Sequence, residues 1–273
     1  PPVIQRSDRQ FVVSVGESVT LPCTTSGNPK PRIIWTRNRR RIDDRDPRYT
    51  IRQDGGLTLE TITPQDTGNY VCTAENSVGK DSQSRLVRVQ VPPVFITKPT
   101  DKELTINTNF QLTCIARGVP TPAITWMLNG QPLAAAPSVN GVSTLVVRSA
   151  MKEDAGEYTC VATNPANQQS VTTSARVIVK VPPRVIVPPG DWAVRIAEKV
   201  VLDCSVGGDP PPQIIWTKNG RPVKLNDRIR KLSNGSLIIY DLTSSDAGKY
   251  KCIAINDAGT SEAQSILTVK CEY

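Results

Sequence analysis

Three copies of one seven-residue pattern constrain this chain more than any other feature: Asp66-Thr67-Gly68-Asn69-Tyr70-Val71-Cys72, Asp154-Ala155-Gly156-Glu157-Tyr158-Thr159-Cys160 and Asp246-Ala247-Gly248-Lys249-Tyr250-Lys251-Cys252. An acidic turn residue, a glycine free to take positive φ, and Tyr and Cys two apart on one strand face describe a corner that feeds a buried strand. Each copy therefore marks one domain. Cys23, Cys114 and Cys204 recur in step with Trp35, Trp126 and Trp216. The period is domain-sized, so each unit can bury a core of its own, unlike short solenoid repeats that need their neighbours.

The seven cysteines resolve as three early/late pairs, Cys23 with Cys72, Cys114 with Cys160 and Cys204 with Cys252, leaving Cys271 over. That usage points to an oxidising compartment. A zinc site would want clustered cysteines or histidine partners, and the chain has no histidine. Metal and cofactor are both expected to be none, and so is catalysis, since histidine-dependent triads fail and the carboxylates are scattered mostly on turns. No run approaches the ~18 apolar residues of a membrane span, and no charged-then-apolar leader opens the chain. The expectation is a piece of a mature ectodomain. Cys271 is read either as an intermolecular bridge or, preferably, as half of a disulfide to a following module.

Along each unit the apolar residues alternate. Val19, Leu21 and Cys23 share one strand face, as do Val87, Val89 and Val91. Gly27-Asn28-Pro29-Lys30-Pro31 precedes Trp35, and Gly-x-Pro-x-Pro-x-x-x-Trp recurs at Gly118–Trp126 and Gly208–Trp216. Asp54-Gly55-Gly56 and Asn234-Gly235 supply turn chemistry between short strands. Asn234-Gly235-Ser236 is also the one glycosylation sequon. No long stretch has helical period, so the chain reads as almost all β. The joints Val91-Pro92-Pro93-Val94 and Val181-Pro182-Pro183-Arg184 leave no slack, and Pro-Pro is stiff and extended. An elongated, semi-rigid array follows, with units at 1–91, 92–181 and 182–270 and residues 271–273 starting a further segment. Trp192 is read as packing between units two and three or covering its own sheet.

The Gly-x-Pro-x-Pro-x-x-x-Trp run, the Cys-to-Trp step, Asp-x-Gly-x-Tyr-x-Cys and Asn-x-x-Gly in the closing hairpin together resemble immunoglobulin domains of the I set, three times over the whole chain. The resemblance implies β-sandwiches with Trp35, Trp126 and Trp216 packed on inter-sheet disulfides. It also implies that the OH groups of Tyr70, Tyr158 and Tyr250 bond back to their corners. An I-set arginine commonly pairs with the corner Asp. Arg48 with Asp66 and Arg228 with Asp246 fit, whereas Asp154 has no such arginine, which predicts a weaker corner in unit two. Arrays of this kind resemble the distal parts of contactins, the Dscam and Roundabout families and LAR-class receptor phosphatases, and also matrix proteins such as hemicentin and peroxidasin. The function implied is extracellular recognition of cell-surface or matrix proteins, homophilic or heterophilic, by an adhesion molecule or guidance receptor. A secreted matrix array is the alternative, and an intracellular muscle-type scaffold is a third reading that the paired cysteines oppose.

The net charge of +8 divides as +4, +2 and +2 over the three units. In unit one Arg37, Arg39, Arg40, Arg41 and Arg45 follow Trp35, interleaved with Asp43, Asp44 and Asp46; in unit three Lys218, Arg221, Lys224, Arg230 and Lys231 follow Trp216. Two readings compete. Arginines on a rigid edge give bidentate contacts to sulfate and an attractive field for a polyanion, and the position in unit one resembles the heparan-sulfate-binding loop of LAR-class phosphatases. The other reading is a solvated surface of local ion pairs. Nucleic acid is not expected as a partner, because no stacking aromatics accompany the arginines, and no direct membrane contact is expected.

Overall fold

The computed structural model describes residues 1–43, 45–134 and 137–270. Cys271, whose pairing the sequence leaves open, lies outside the described residues, as does Asp44. The alternating residues bury their apolar faces in three separate clusters, one around each Cys–Trp set. Disulfides join Cys23 to Cys72, Cys114 to Cys160 and Cys204 to Cys252, with Cα–Cα distances of 6.4, 6.6 and 6.5 Å. Each tryptophan is buried in its cluster.

Two sheets face each other across each cluster. In unit one Val19–Leu21, Leu57–Leu59 and Tyr49–Ile51 form one sheet. Arg32–Arg37, Arg40–Arg41, Gly68–Asn76 and Gly79–Thr97 belong to the other, with Gln10–Ser14 added in parallel. Unit three repeats this arrangement, with Val200–Leu202, Leu237–Ile239 and Ile229–Lys231 against a sheet centred on Gly248–Asn256. Unit two is reduced on one side: beside Val142–Val147 only the single bridge Val139 to Val142 is found among the described residues. The stretch from Leu133 to Val142 is shorter than its counterparts and uncharged.

At each Pro-Pro joint, where the sequence leaves no slack, one continuous strand runs from one unit into the next. Gly79–Thr97 pairs with Gly68–Asn76 in unit one and then with Phe110–Val119 in unit two; Ser170–Val187 does the same across the second joint. The ladder steps from Val91↔Val119 to Val94↔Arg117, skipping the prolines. Proline has no N–H to donate, but its fixed φ is compatible with extended backbone, so the strand direction survives the missing rungs. Gly118 makes room for this: a Cβ there would stand 3.0 Å from the Val91 carbonyl oxygen.

The two joints differ chemically. At the first, Asn167 Nδ2 donates to Gln90 Oε1 at 3.0 Å. At the second, Lys152 Nζ reaches Asp209 at 2.7 Å, Lys180 Nζ lies between Glu103 at 3.0 Å and Asp257 at 3.7 Å, and Asn256 Nδ2 donates to the Val181 carbonyl at 2.9 Å. Trp192 pairs in parallel with Leu267 of its own unit and is 45% exposed, so it lies along its own sheet.

Candidate recognition surface

Each corner begins as a single 3-10 turn, at Pro64–Asp66, Lys152–Asp154 and Ser244–Asp246. The acidic side chain folds back on the turn: Asp66 Oδ2 accepts from Thr63 N and Thr63 Oγ1, both at 2.8 Å, and Asp246 repeats this with Thr243 at 2.8 and 2.9 Å. The tyrosine hydroxyls donate to the carbonyls of the corner aspartates, at 3.0 Å for Tyr70 and 2.8 Å for Tyr158 and Tyr250. Burial raises all three phenols, Tyr158 and Tyr250 to about 12.

Arginine completes two of the corners. Arg48 Nη1 lies 3.2 Å from Asp66 Oδ2, and Arg228 Nη1 lies 3.1 Å from Asp246 Oδ2 while also donating to the carbonyls of Tyr240 and Asp241 at 2.9 Å. Burial pushes the Asp246 carboxyl up, but hydrogen bonds from Arg228 and Thr243 outweigh it and the net shift is downward. At unit two Asp154 accepts from Met151 N at 2.7 Å, and among the described residues no arginine or lysine pairs with it. The space is filled differently. Leu128 stands opposite Tyr158 in the ladder and packs on the core, and Phe110 meets the Tyr158 ring edge-on with centroids 5.9 Å apart.

Two of the candidate glycan contacts line open grooves on units one and three and also reach the corners. Arg37 and Lys218 occupy the ladder position of Leu128, opposite Tyr70 and Tyr250. Arg37 lies 5.4 Å over the Tyr70 ring, 3.4 Å from Asp66 Oδ1, and donates to the Gln65 carbonyl; Lys218 lies 5.8 Å over Tyr250 and donates to the Ser245 carbonyl. Their charges are turned toward the corner.

The remaining basic residues do not form one patch. In unit one Arg40 and Arg41 line an open groove of about 660 Å³ with Asp43, Asp46 and Tyr49, while Arg39 and Arg45 are exposed. In unit three Arg221 and Lys224 line the equivalent groove of about 600 Å³, with Asn226 and Ile229. Lys231 belongs elsewhere, donating to the Ile214 carbonyl at 3.1 Å beside the Asn234 turn, and Arg230 Nε donates to the Asp227 carbonyl at 3.0 Å. Asn234 is exposed and its Oδ1 accepts from Ser236 N at 3.0 Å, closing the turn under which Trp216 Nε1 donates to Gly235 O at 2.8 Å. Gly235 has φ 91 and a Cβ there would stand 2.0 Å from Ile214 Cδ1, so only glycine serves.

One candidate glycan contact in the unit-one edge, Arg39, differs from its neighbours in backbone geometry. Asn38-Arg39 turns with φ values of 48 and 65, the geometry taken by Asn129-Gly130 and Asn219-Gly220 in the sister units. Arg39 thus holds a left-handed position that its counterparts fill with glycine, at a cost of about 1 kcal/mol. The alignment of one Asn-Arg with two Asn-Gly pairs carried that signal.

Comparison with known proteins agrees with this architecture. The immunoglobulin I-set domain model matches residues 2–89 and 183–269, and an immunoglobulin domain model matches 92–164. The chain belongs to the immunoglobulin I-set family. Hemicentin-1 of Mus musculus is 36% identical over 99% of the chain, and Roundabout homolog 1 of Mus musculus 32% over 97%. The chain spans only 5% and 17% of those relatives' lengths. The titin I-band fragment I67-I69 superposes with a TM-score of 0.81, 29% identity and 99% of both chains covered. Three I-set-type sandwiches in tandem are the whole of the described segment, and that fold carries no catalytic constellation of its own.

Proposed function

We propose that this segment is an extracellular recognition module of an adhesion molecule or guidance receptor, docking protein partners on its sheet faces and edges and a sulfated glycan, heparan sulfate, on the basic edge of unit one. Boundaries at 91/92 and 181/182 are proposed with it, because each Pro-Pro step separates two cores. The disulfides and the extracellular relatives support the compartment. The observation that carries the glycan reading is Arg39. An exposed arginine in a strained left-handed position, where both sister units place glycine, costs stability, as functional positions often do. With Arg40 and Arg41 it offers planar donors to sulfate on a rigid hairpin.

Salt-gradient elution from heparin tests this. Arg39→Gly is expected to raise the stability of unit one by about 1 kcal/mol while eluting at lower salt, and Ala at Arg39, Arg40 and Arg41 together should shift elution further. Unchanged elution of the triple variant removes the site. The hemicentin likeness favours a second reading, a secreted matrix array with the same surfaces. The residues flanking the segment in the full-length protein separate the two, a membrane anchor supporting the first and further matrix modules the second.

A further inference from the structure

The turn between Ile229–Lys231 and Leu237–Ile239 of unit three carries more chemistry than its fold requires. It matches the turn of unit one bond for bond. Leu232 N donates to Ser236 O at 2.8 Å and Gly235 N to Leu232 O at 2.9 Å, as Arg52 does to Gly56 at 2.8 Å and Gly55 to Arg52 at 3.0 Å. In each turn one side chain accepts from the backbone two residues on, Asp54 Oδ1 from Gly56 N and Asn234 Oδ1 from Ser236 N, both at 3.0 Å. That bond needs only an oxygen, which carboxylate and amide supply alike. The left-handed residue is the glycine that follows, at φ 90 and 91, so the asparagine is not there for its backbone. Unit one closes the turn with Gly56 where unit three has Ser236. What unit three adds to the shared frame is an amide nitrogen and, two residues later, a hydroxyl, the pair that marks an N-linked glycosylation acceptor.

The amide is available. Asn234 is exposed, and among the described residues its Nδ2 meets no acceptor. Beside it opens a groove of about 730 Å³ lined by Val206, Pro211, Pro212 and Ile214, with room for the first sugars and apolar surface for them to cover. Lys231, which also lines it, already donates to the Ile214 carbonyl. The hydroxyl is enclosed: Ser236 is 1% exposed, and its Oγ accepts from Cys204 N at 3.3 Å. An enzyme can read that hydroxyl only before unit three closes, whereas the amide stays outside afterwards. We infer that Asn234 carries an N-linked glycan, added to the still extended chain. Its Nδ2 attacks the anomeric carbon of the first N-acetylglucosamine of a lipid-diphosphate-linked oligosaccharide; the N-glycosidic bond forms as the sugar–phosphate bond breaks, and the lipid diphosphate leaves with the amide proton. The inference rests on the extracellular reading above, since only a chain entering the secretory pathway meets this donor.

The chain, directed into the secretory pathway of a eukaryotic cell line, recovered from the medium and digested with trypsin, should yield the peptide Leu232–Lys249 with N-acetylhexosamine on Asn234, read by tandem mass spectrometry. Asn234→Asp and Ser236→Gly put unit one's residues into the same turn, so each should be secreted folded, by circular dichroism, and without the sugar. If Ser236→Gly does not fold, Asn234→Asp decides. A secreted, disulfide-bonded chain with Asn234 unmodified overturns the inference and leaves the extracellular reading standing, as does sugar that persists in Asn234→Asp. Retention in the cell with the core thiols free overturns that reading, and the glycan with it.

Discussion

In unit one the ring of Tyr70 lies under the Arg37 guanidinium, and in unit two the ring of Tyr158 meets the edge of Phe110, yet both hydroxyls donate to the corner aspartate carbonyl, at 3.0 and 2.8 Å. What the copies share is the backbone bond, which fixes the entry of the strand bearing the second cysteine. What surrounds it is interchangeable. Units one and three close the corner with half-exposed cations, and unit two closes it with apolar volume. The tryptophans show the same division. Trp35 and Trp216 donate to the carbonyls of Gly55 and Gly235 at 2.9 and 2.8 Å, while Trp126 donates to Ser143 Oγ at 3.1 Å.

If the apolar closure of unit two does the work of the missing arginine, removing it should be the most damaging change of this set. Phe110 is 8% exposed, and Phe110→Ala leaves a cavity and strips the edge contact from Tyr158, at a cost of about 3 kcal/mol. Val200 holds the equivalent position in unit three, and Val200→Ala should cost about half as much, because less volume is lost. Denaturant unfolding of the segment, with the transitions of the units assigned from the variants, reads both. Equal losses would show that Phe110 is ordinary core and that the corner of unit two stands without it.

The ionic corner fails differently. Arg228→Ala strands the buried Asp246 carboxylate and should destabilise unit three by about 2 kcal/mol, below the cost for a fully enclosed pair because the arginine is itself partly exposed. Arg48→Ala should cost about half that, since Arg37 still reaches Asp66. The pH dependence has a definite sign. The Asp246 carboxyl titrates below its ordinary value of 3.8 when folded, so its contribution is present above that value and is lost as pH falls through the folded one. Acid melting of unit three should therefore lose a step in Arg228→Ala. An acid limb identical to that of the unaltered chain would mean that Thr243, not Arg228, holds the carboxylate down.

The conserved corner was legible because its residues lie within seven positions of one another, and the disulfides and tryptophans because they recur in phase. The cationic edge was less so. Arg37 and Lys218 look like the first members of basic runs after Trp35 and Trp216, but strand register sets each across from a tyrosine on a strand far along the chain. Lys231 left the groove of Arg221 and Lys224 for a reason visible only in three dimensions, the reach of its amine to the Ile214 carbonyl. The reduced side of unit two was half legible. The uncharged run from Gly118 to Val147 marks it, but that the described residues form a single bridge at Val139 before entering Val142–Val147 depends on how the shortened connection folds.

The smallest effect gives the most direct test of interchangeability. Leu128→Arg places a guanidinium opposite Tyr158, within the register that lets Arg37 reach Asp66. It loses the packing of a half-buried leucine and gains an ion pair to Asp154, so the net change in stability should lie within about 0.5 kcal/mol of zero. A double-mutant cycle with Asp154→Asn isolates the new pair, with an expected coupling of about 0.5–1 kcal/mol. Coupling of that size means that the corner of unit two keeps the ionic geometry of its neighbours beneath its apolar filling. No coupling means that Phe110 holds the tyrosine ring and the aspartate out of an arginine's reach, and the two closures are then alternative structures of the corner.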